Sequence, residues 1–395
     1  MRFSLGINYW PRRSAMAMWR RFDAGEIRED LARIAELGLD SVRFFLRWAD
    51  FQPEPRTLDR TMLTRLETFA DLVAQAGLQA MPTLSCGHMS GVNWLPSWSL
   101  DPATTTARFR TITERGESPN GIGDFYLPGP LLEAQVRFAR AVGERLRAHP
   151  AVTAWDLGNE FSNLREPTSA DAAATWSRVL VDALEATSGI PSTAGTHGED
   201  LTLDRALRLS SLCSSYPYAT MHGYSVYSAF ARDRLDPEVV PFLAALASNF
   251  SGKPVLFTEF GNPACQAGTT LPLACLDEDE MATYCTRVLD RLHADGYLGG
   301  WWWCWADYAD ALRDEPPFDR APHERAFGII RSDGSTKPVA DALAAFARER
   351  RSVAPPVADR PVLDERTYYA ALPQATGEAY RVYLTRVEER RGAMR

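Results

Sequence analysis

Short apolar runs alternate with longer amphipathic stretches along most of the chain. Residues 3–8, 41–46, 78–84, 152–157, 191–195, 218–221, 255–258 and 298–304 are short and apolar, and read as strands. Between them the apolar positions fall at helical spacing. In residues 27–37 they are Ile27, Leu31, Ile34 and Leu37, and Gly38 stops the helix. Residues 62–76 repeat the pattern with Leu63, Leu66, Phe69, Ala70 and Val73, and Gly77 is the C-cap. Further helices are predicted over 131–147, 170–186, 239–248, 279–294 and 339–348, with a short one near 203–209. Acidic residues open the 279–294 helix, where the macrodipole favours them.

Eight strand–helix units in this length are what a (β/α)8 barrel requires. A doubly wound open sheet is the runner-up, but it calls for a Gly-rich phosphate loop after an early strand, and the chain has none. The pattern therefore predicts an α/β protein with a TIM barrel over residues 1–350. Residues 351–395 include Ala354-Pro355-Pro356 and four tyrosines, Tyr368, Tyr369, Tyr380 and Tyr383. That stretch is too short for its own core and is expected to pack on the barrel as a C-terminal extension. One interval breaks the alternation. Residues 85–130 form a long third βα loop rich in Gly, Pro, Ser and Thr. Its Trp94, Trp98, Phe109, Phe125 and Tyr126 predict an ordered loop packed over a site.

Composition narrows the classes. Of 395 residues, 45% are apolar and 24% charged, enough for a sizeable soluble core. A net charge of −8 without a long basic run gives no reason to expect a nucleic-acid partner. No run of 18 apolar residues predicts a membrane span, and residues 1–10 lack a signal-peptide pattern, so a cytoplasmic location is expected. Cys86, Cys213 and Cys304 lie in or beside apolar runs and read as buried thiols, whereas Cys265 and Cys275 flank a short loop and are a disulfide candidate. The six His lack ligand spacing, so neither a metal nor another cofactor is expected. The oligomeric state stays open, a homo-oligomer included. The 11 Trp are a surplus that suits sugar binding, because apolar pyranose faces stack on flat rings.

The chemistry-bearing residues gather at strand ends. In order they are Asn8-Tyr9-Trp10, Arg43, His88, Asn159-Glu160, His197, His222-Gly223-Tyr224, Glu259, and Trp303 with Trp305. Barrels keep their chemistry at that face. Two carboxylates in one cleft, Glu160 and Glu259, are the minimum needed to cleave a glycosidic bond. Plain structural readings compete: a helix-capping Glu, an Arg43 paired to a structural Asp, and His197 as a satisfied core residue. Alternation along residues 301–305 puts Trp303 and Trp305 on the site face and Trp302 against helices. Asp307 and Asp310 read as solvated loop residues.

Asn159-Glu160 after the fourth strand and Glu259 after the seventh resemble the signature of the retaining (β/α)8 glycoside hydrolases of clan A. With Arg43, His222-x-Tyr224 and Trp303 in that order, the chain resembles family 5 over residues 3–348. The resemblance implies Glu160 as acid/base and Glu259 as nucleophile, roughly 5–5.5 Å apart. The acid needs a raised pKa, while the nucleophile must be ionised. Arg43 and Tyr224 are expected to hydrogen-bond Glu259, Asn159 the sugar 2-hydroxyl, and His222 either Glu160 or substrate. Trp303 would floor the sugar pocket, and His88 and Trp305 complete the expected substrate-binding set. The runs Gly6-Ile7-Asn8-Tyr9-Trp10-Pro11 and Met221-His222-Gly223-Tyr224 resemble exo-acting members, β-mannosidases among them. The expected substrate is thus a short oligosaccharide with a terminal β-mannoside. The near alternatives are an endo-β-1,4-mannanase, a β-glucanase or a β-glucosidase. A non-catalytic carbohydrate-binding barrel is the alternative of another class, and loss of either Glu would favour it. A metal-dependent barrel hydrolase needs a cluster such as His-x-His after strand one, where Asn8-Tyr9-Trp10 stands.

Overall fold

The computed structural model describes residues 1–104, 108–265, 276–357, 360 and 362–393. Twelve strands occur among them. The first six are β1 (Ser4–Tyr9), β2 (Ser41–Arg47), β3 (Gln79–Cys86), β4 (His88–Met89), β5 (Val92–Trp94) and β6 (Arg110–Thr113). The others are β7 (Gly116–Ser118), β8 (Trp155–Asn159), β9 (Ser192–Gly195), β10 (Ala219–His222), β11 (Val255–Phe260) and β12 (Gly299–Trp302).

Eight of these strands form one parallel sheet in the order β10-β11-β12-β1-β2-β3-β8-β9. The two ends meet through a parallel bridge between His197 and His222, where the His222 amide donates to the Thr196 carbonyl at 2.9 Å. Thr196 Oγ1 adds a 2.6 Å bond to the Thr220 carbonyl. The sheet is thus closed into a (β/α)8 barrel, which leaves no open edge. Its strands are buried on both faces, and for that reason they read as continuous apolar runs.

Met81, Ala154, Leu256 and Trp301 fill the barrel interior, with Trp301 Nε1 donating to Ser4 Oγ at 3.0 Å. A side chain at Gly6 would come within 2.5 Å of the Trp301 ring, so the close approach of strand and indole requires glycine there. Trp302 points outward, as alternation predicts. It packs edge-on to Phe260, and its Nε1 donates to the Phe327 carbonyl at 3.0 Å.

The helices begin earlier than their first apolar residue. Asp23 caps Ala24–Glu36 and Asp59 caps Arg60–Gln75, each accepting two backbone N–H bonds. Apolar spacing marks the buried face only, whereas the cap sets the first turn, and it contributes about 1 kcal/mol. Asp277 and Glu280 form a capping box for Glu278–Ala294.

The 85–130 interval differs from the expected loop. It holds a second sheet of β4-β5-β6-β7, built from strands of two to four residues too short to leave a periodicity. Trp98 anchors the interval edge-on to Trp48, and Phe125 and Tyr126 pack on Trp176. Cys86, Cys213 and Cys304 are buried free thiols, as is Cys285. The expected Cys265–Cys275 pair has one partner outside the described residues.

At the C-terminus, helices Glu365–Ala370 and Gln374–Ala393 lie against helix Val239–Ser251. Tyr380 and Tyr383 contact the Phe242 ring, and Tyr368 and Tyr369 the Phe250 ring. Among the described residues no helix is long and apolar enough to cross a membrane.

Candidate active site

A cleft of about 1030 Å³ opens at the carboxyl ends of the barrel strands, with Glu160, His222 and Glu259 in its wall. One ligand atom from each of these three lies within 4.8 Å of the others. Glu160 follows the last residue of β8 and adopts a left-handed backbone, φ +46°, with its amide donating to the Gly195 carbonyl at 2.9 Å. A non-glycine residue in that conformation costs free energy, and it turns the side chain out of the strand's line. Glu259 lies within β11 and His222 ends β10. His222 Nδ1 is 3.2 Å from Glu160 Oε1 and 3.0 Å from Glu259 Oε2, so one imidazole nitrogen bridges both carboxylates.

The bridge sets the charges. Burial alone would strip His222 of its proton, but Glu259 and Glu160 outweigh burial and raise its pKa to about 9. Burial would likewise raise Glu160, yet His197, His222 and His88 reverse that and hold it below the usual carboxylate range. The raised acid pKa expected for Glu160 is therefore not found. The electrostatics favour the proton on the neighbouring imidazole.

Arg43 is corrected in two respects. It lies inside β2, fully buried below the cleft, and not at the strand's end facing substrate. Its main partner is Asp156, reached by Nε at 3.0 Å and Nη2 at 2.6 Å. It also donates to Asn8 Oδ1 (3.0 Å), Asn159 Oδ1 (2.8 Å) and Glu259 Oε1 (3.4 Å). The structural and functional readings of Arg43 thus hold together: one guanidinium neutralises a buried Asp and braces three site residues from beneath.

Asn159 lines the cleft between that guanidinium and the His88 carbonyl, to which its Nδ2 donates at 2.9 Å. His88 lies in β4 of the small sheet, with Nδ1 2.8 Å from Asn93 Oδ1 and Nε2 3.8 Å from Glu160 Oε2. Burial lowers its pKa. Trp303 and Tyr224 both line the cleft. The expected Tyr224–Glu259 hydrogen bond is not made among the described residues, and the ring packs edge-on to Tyr227 and Phe327.

Trp305 does not face the cleft. Its indole lies against Arg33 and bonds Asp30, on the first helix. Strand alternation does not reach that far, because β12 ends at Trp302. Asp307 is also not a solvated residue. Lys337 pairs with it at 2.8 Å, and burial raises its pKa to about 6.

Other residues give no local signal in the sequence. Asn163 Nδ2 donates to Glu160 Oε2 at 3.1 Å, and Asp156 balances Arg43. The Asn159-x-x-x-Asn163 spacing after a strand carries no period, and Asp156 sits inside an apolar run. Two further elements reach the cleft. Arg110 of β6 and Arg320 after β12 are joined through Glu117 (2.9 and 3.1 Å), and Arg110 also pairs with Asp319 at 2.7 Å. Gln374 and Thr376 of the C-terminal segment complete the lining.

No family model matches the chain, and no curated protein matches it in sequence. Solved structures do. The exo-β-1,4-mannosidase of Opitutaceae bacterium strain TAV5 matches with a TM-score of 0.73 at 26% identity, over 88% of this chain and 59% of that one. This chain therefore spans about three fifths of that protein. A GH5_18 structure from Bifidobacterium longum subsp. infantis matches with a TM-score of 0.74 at 22% identity, over 91% of this chain and 81% of that one. A GH5_18 structure from Streptomyces cattleya in complex with GlcNAc gives 0.73 at 22%, over 89% and 81%. The barrel is thus similar to those of family 5 glycoside hydrolases, in agreement with the motif resemblance.

Proposed function

We propose that the chain is a retaining glycoside hydrolase that removes terminal β-mannosides from short oligosaccharides. The single observation that carries this reading is the Glu160–His222–Glu259 cluster, with one oxygen or nitrogen of each within 4.8 Å of the others at the wall of a barrel cleft. Carboxylate oxygens that close favour a nucleophile with an acid/base over an inverting pair, whose carboxyl groups stand roughly 6.5–9.5 Å apart to admit a water.

In the first step a Glu259 oxygen attacks the anomeric carbon, and the bond to the leaving oxygen breaks. Glu160 protonates that oxygen. Since the resting proton lies on His222, it passes across the 3.2 Å contact to Glu160 Oε1 as substrate displaces charge at the site. In the second step Glu160 takes a proton from water, and the hydroxide oxygen replaces Glu259 at the anomeric carbon with net retention. Arg43 holds Asn159 and Glu259 in place from below, so neither reorganises during the reaction. Trp303 supplies the stacking surface for the sugar.

Exo action is supported by the ion-paired strap of Arg110, Glu117, Asp319 and Arg320. It joins the third βα loop to the eighth, across the mouth above β1 and β2. A chain continuing past the bound sugar on that side would meet the strap. The mannoside preference is supported by the likeness to the Opitutaceae exo-β-1,4-mannosidase and by neighbours solved with Manβ1-4GlcNAc.

The test is a panel of aryl β-mannoside, β-glucoside and β-galactoside beside mannan and cellulose. The mannoside should turn over fastest and the polymers poorly. Glu259→Ala should abolish turnover, with azide restoring it as the α-mannosyl azide. Near-normal turnover by that variant would remove Glu259 from the chemistry, and faster release from a polymer would overturn exo action.

A further inference from the structure

Resting on the glycosidase reading, one question remains at Glu160: which of its two oxygens carries the acid proton. The answer lies in a buried side-chain chain behind it. Arg205 is 2% exposed. Its Nη1 donates to Asn163 Oδ1 at 2.8 Å and to Ser162 Oγ at 3.2 Å, and its Nη2 pairs with Glu199. Arg108 approaches the same Asn163 Oδ1 at 3.4 Å and also pairs with Glu199, at 2.6 Å.

A guanidinium has donors only. The Asn163 oxygen must therefore face Arg205, and its NH2 must face Glu160, where it donates to Oε2 at 3.1 Å. The usual ambiguity of an amide's two ends is removed by chemistry. An NH2 group cannot accept, so Oε2 is kept as an acceptor. The other oxygen, Oε1, looks toward His222 Nδ1.

We infer that Arg205 and Asn163 are positioning residues that dedicate Glu160 Oε2 to accepting and leave Oε1 as the oxygen that carries the acid proton. The proton thus leaves Oε1 for the glycosidic oxygen in the first step, and a water proton returns to Oε1 in the second. Without the pair, the proton can settle on either oxygen and the carboxyl can rotate, so part of the population is misdirected. The other charged or titratable groups that act on Glu160 are His88 at 3.8 Å, His197, Tyr224, Tyr227, and Glu259 across His222. None of them donates to Oε2 within hydrogen-bond distance.

The experiment compares Asn163→Ala and Arg205→Met with the unsubstituted enzyme on two substrates. One is a β-mannosyl disaccharide, whose leaving group needs a proton. The other is 2,4-dinitrophenyl β-mannoside, whose leaving group does not. Reading kcat/KM restricts both to the first step. Each variant should lose about 10- to 100-fold on the disaccharide and little on the dinitrophenyl mannoside. The alkaline limb of kcat/KM for Asn163→Ala should move upward, because Oε2 loses a donor to its charged form. Arg205→Lys should restore part of the disaccharide rate. Equal losses on both substrates with an unmoved limb would overturn the inference. If Arg205→Met does not fold, Asn163→Ala carries the test, since it leaves the Arg205–Glu199 pair intact. An unsubstituted enzyme inert on both substrates would instead overturn the glycosidase reading.

Discussion

One imidazole at the bottom of the cleft links the charge states of two carboxylates. His222 Nδ1 sits 3.2 Å from one and 3.0 Å from the other, and its pKa rises to about 9. His222 and Glu160 titrate together, so the active form is the one holding a single proton between them. A raised histidine pKa stabilises the fold fully below its ordinary value of 6.5, and that stabilisation is lost as pH climbs through about 9. The amount is on the order of 3 kcal/mol for a fully buried group. Thermal unfolding should therefore fall between pH 6.5 and 9. In His222→Asn that slope should disappear, and the alkaline limb of kcat/KM should move down. A pH-independent melting temperature in the unsubstituted protein would show that His222 is not protonated between the carboxylates.

The individual side chains differ in how far the sequence announces them. Glu160, Glu259 and Asn159 end or close apolar runs, so their place at the cleft is legible from the strand pattern alone. Arg43 is legible as important, but not its depth, because a strand's burial pattern does not say how far along it the barrel mouth lies. Alternation misplaces Trp305, because it holds only while the strand lasts. Asn163 and Arg205 are 42 residues apart and were invisible, since only folding brings them together.

At the scale of elements, the third and eighth βα loops matter most. Their four-residue strap consists of partly exposed ion pairs, which add little stability, roughly 0–1 kcal/mol each. On the proposed exo reading its role is to block the way. Arg110→Ala combined with Arg320→Ala should leave thermal stability close to unchanged. The same variant should raise the rate on mannan relative to an aryl β-mannoside by several-fold. High salt should act in the same direction on the unsubstituted protein, because such pairs are screened. An unchanged polymer-to-aryl ratio would mean that something other than the strap closes the cleft. The small sheet that supplies one end of the strap was not legible, since strands of two to four residues leave no period to read. The interval's aromatic residues do predict packing among the described residues: Trp98, Phe125 and Tyr126 pack on the barrel, and Phe109 lines the cleft.

For the whole molecule, the C-terminal stretch joins stability to the site. Its four tyrosines cover Phe242 and Phe250, and Gln374 and Thr376 stand at the cleft. Truncation after Pro356 should expose that aromatic face and lower the unfolding temperature. Tyr380→Ala alone should cost about 3–5 kcal/mol, as for other buried aromatics, because it also strips a 2.6 Å bond from Asp236. Denaturant unfolding checks both, and a truncated chain as stable as the full one would sever this link.

The sequence by itself determined the barrel and the strands that carry each carboxylate, because hydrophobic periodicity is a local property and strand ends follow from it. It also determined the resemblance that pairs Glu160 with Glu259. Only the tertiary structure decided where the proton rests, what Arg43 braces, which loops strap the cleft and that the C-terminal segment lines it. Those depend on contacts between residues far apart in the chain, and no local pattern records them.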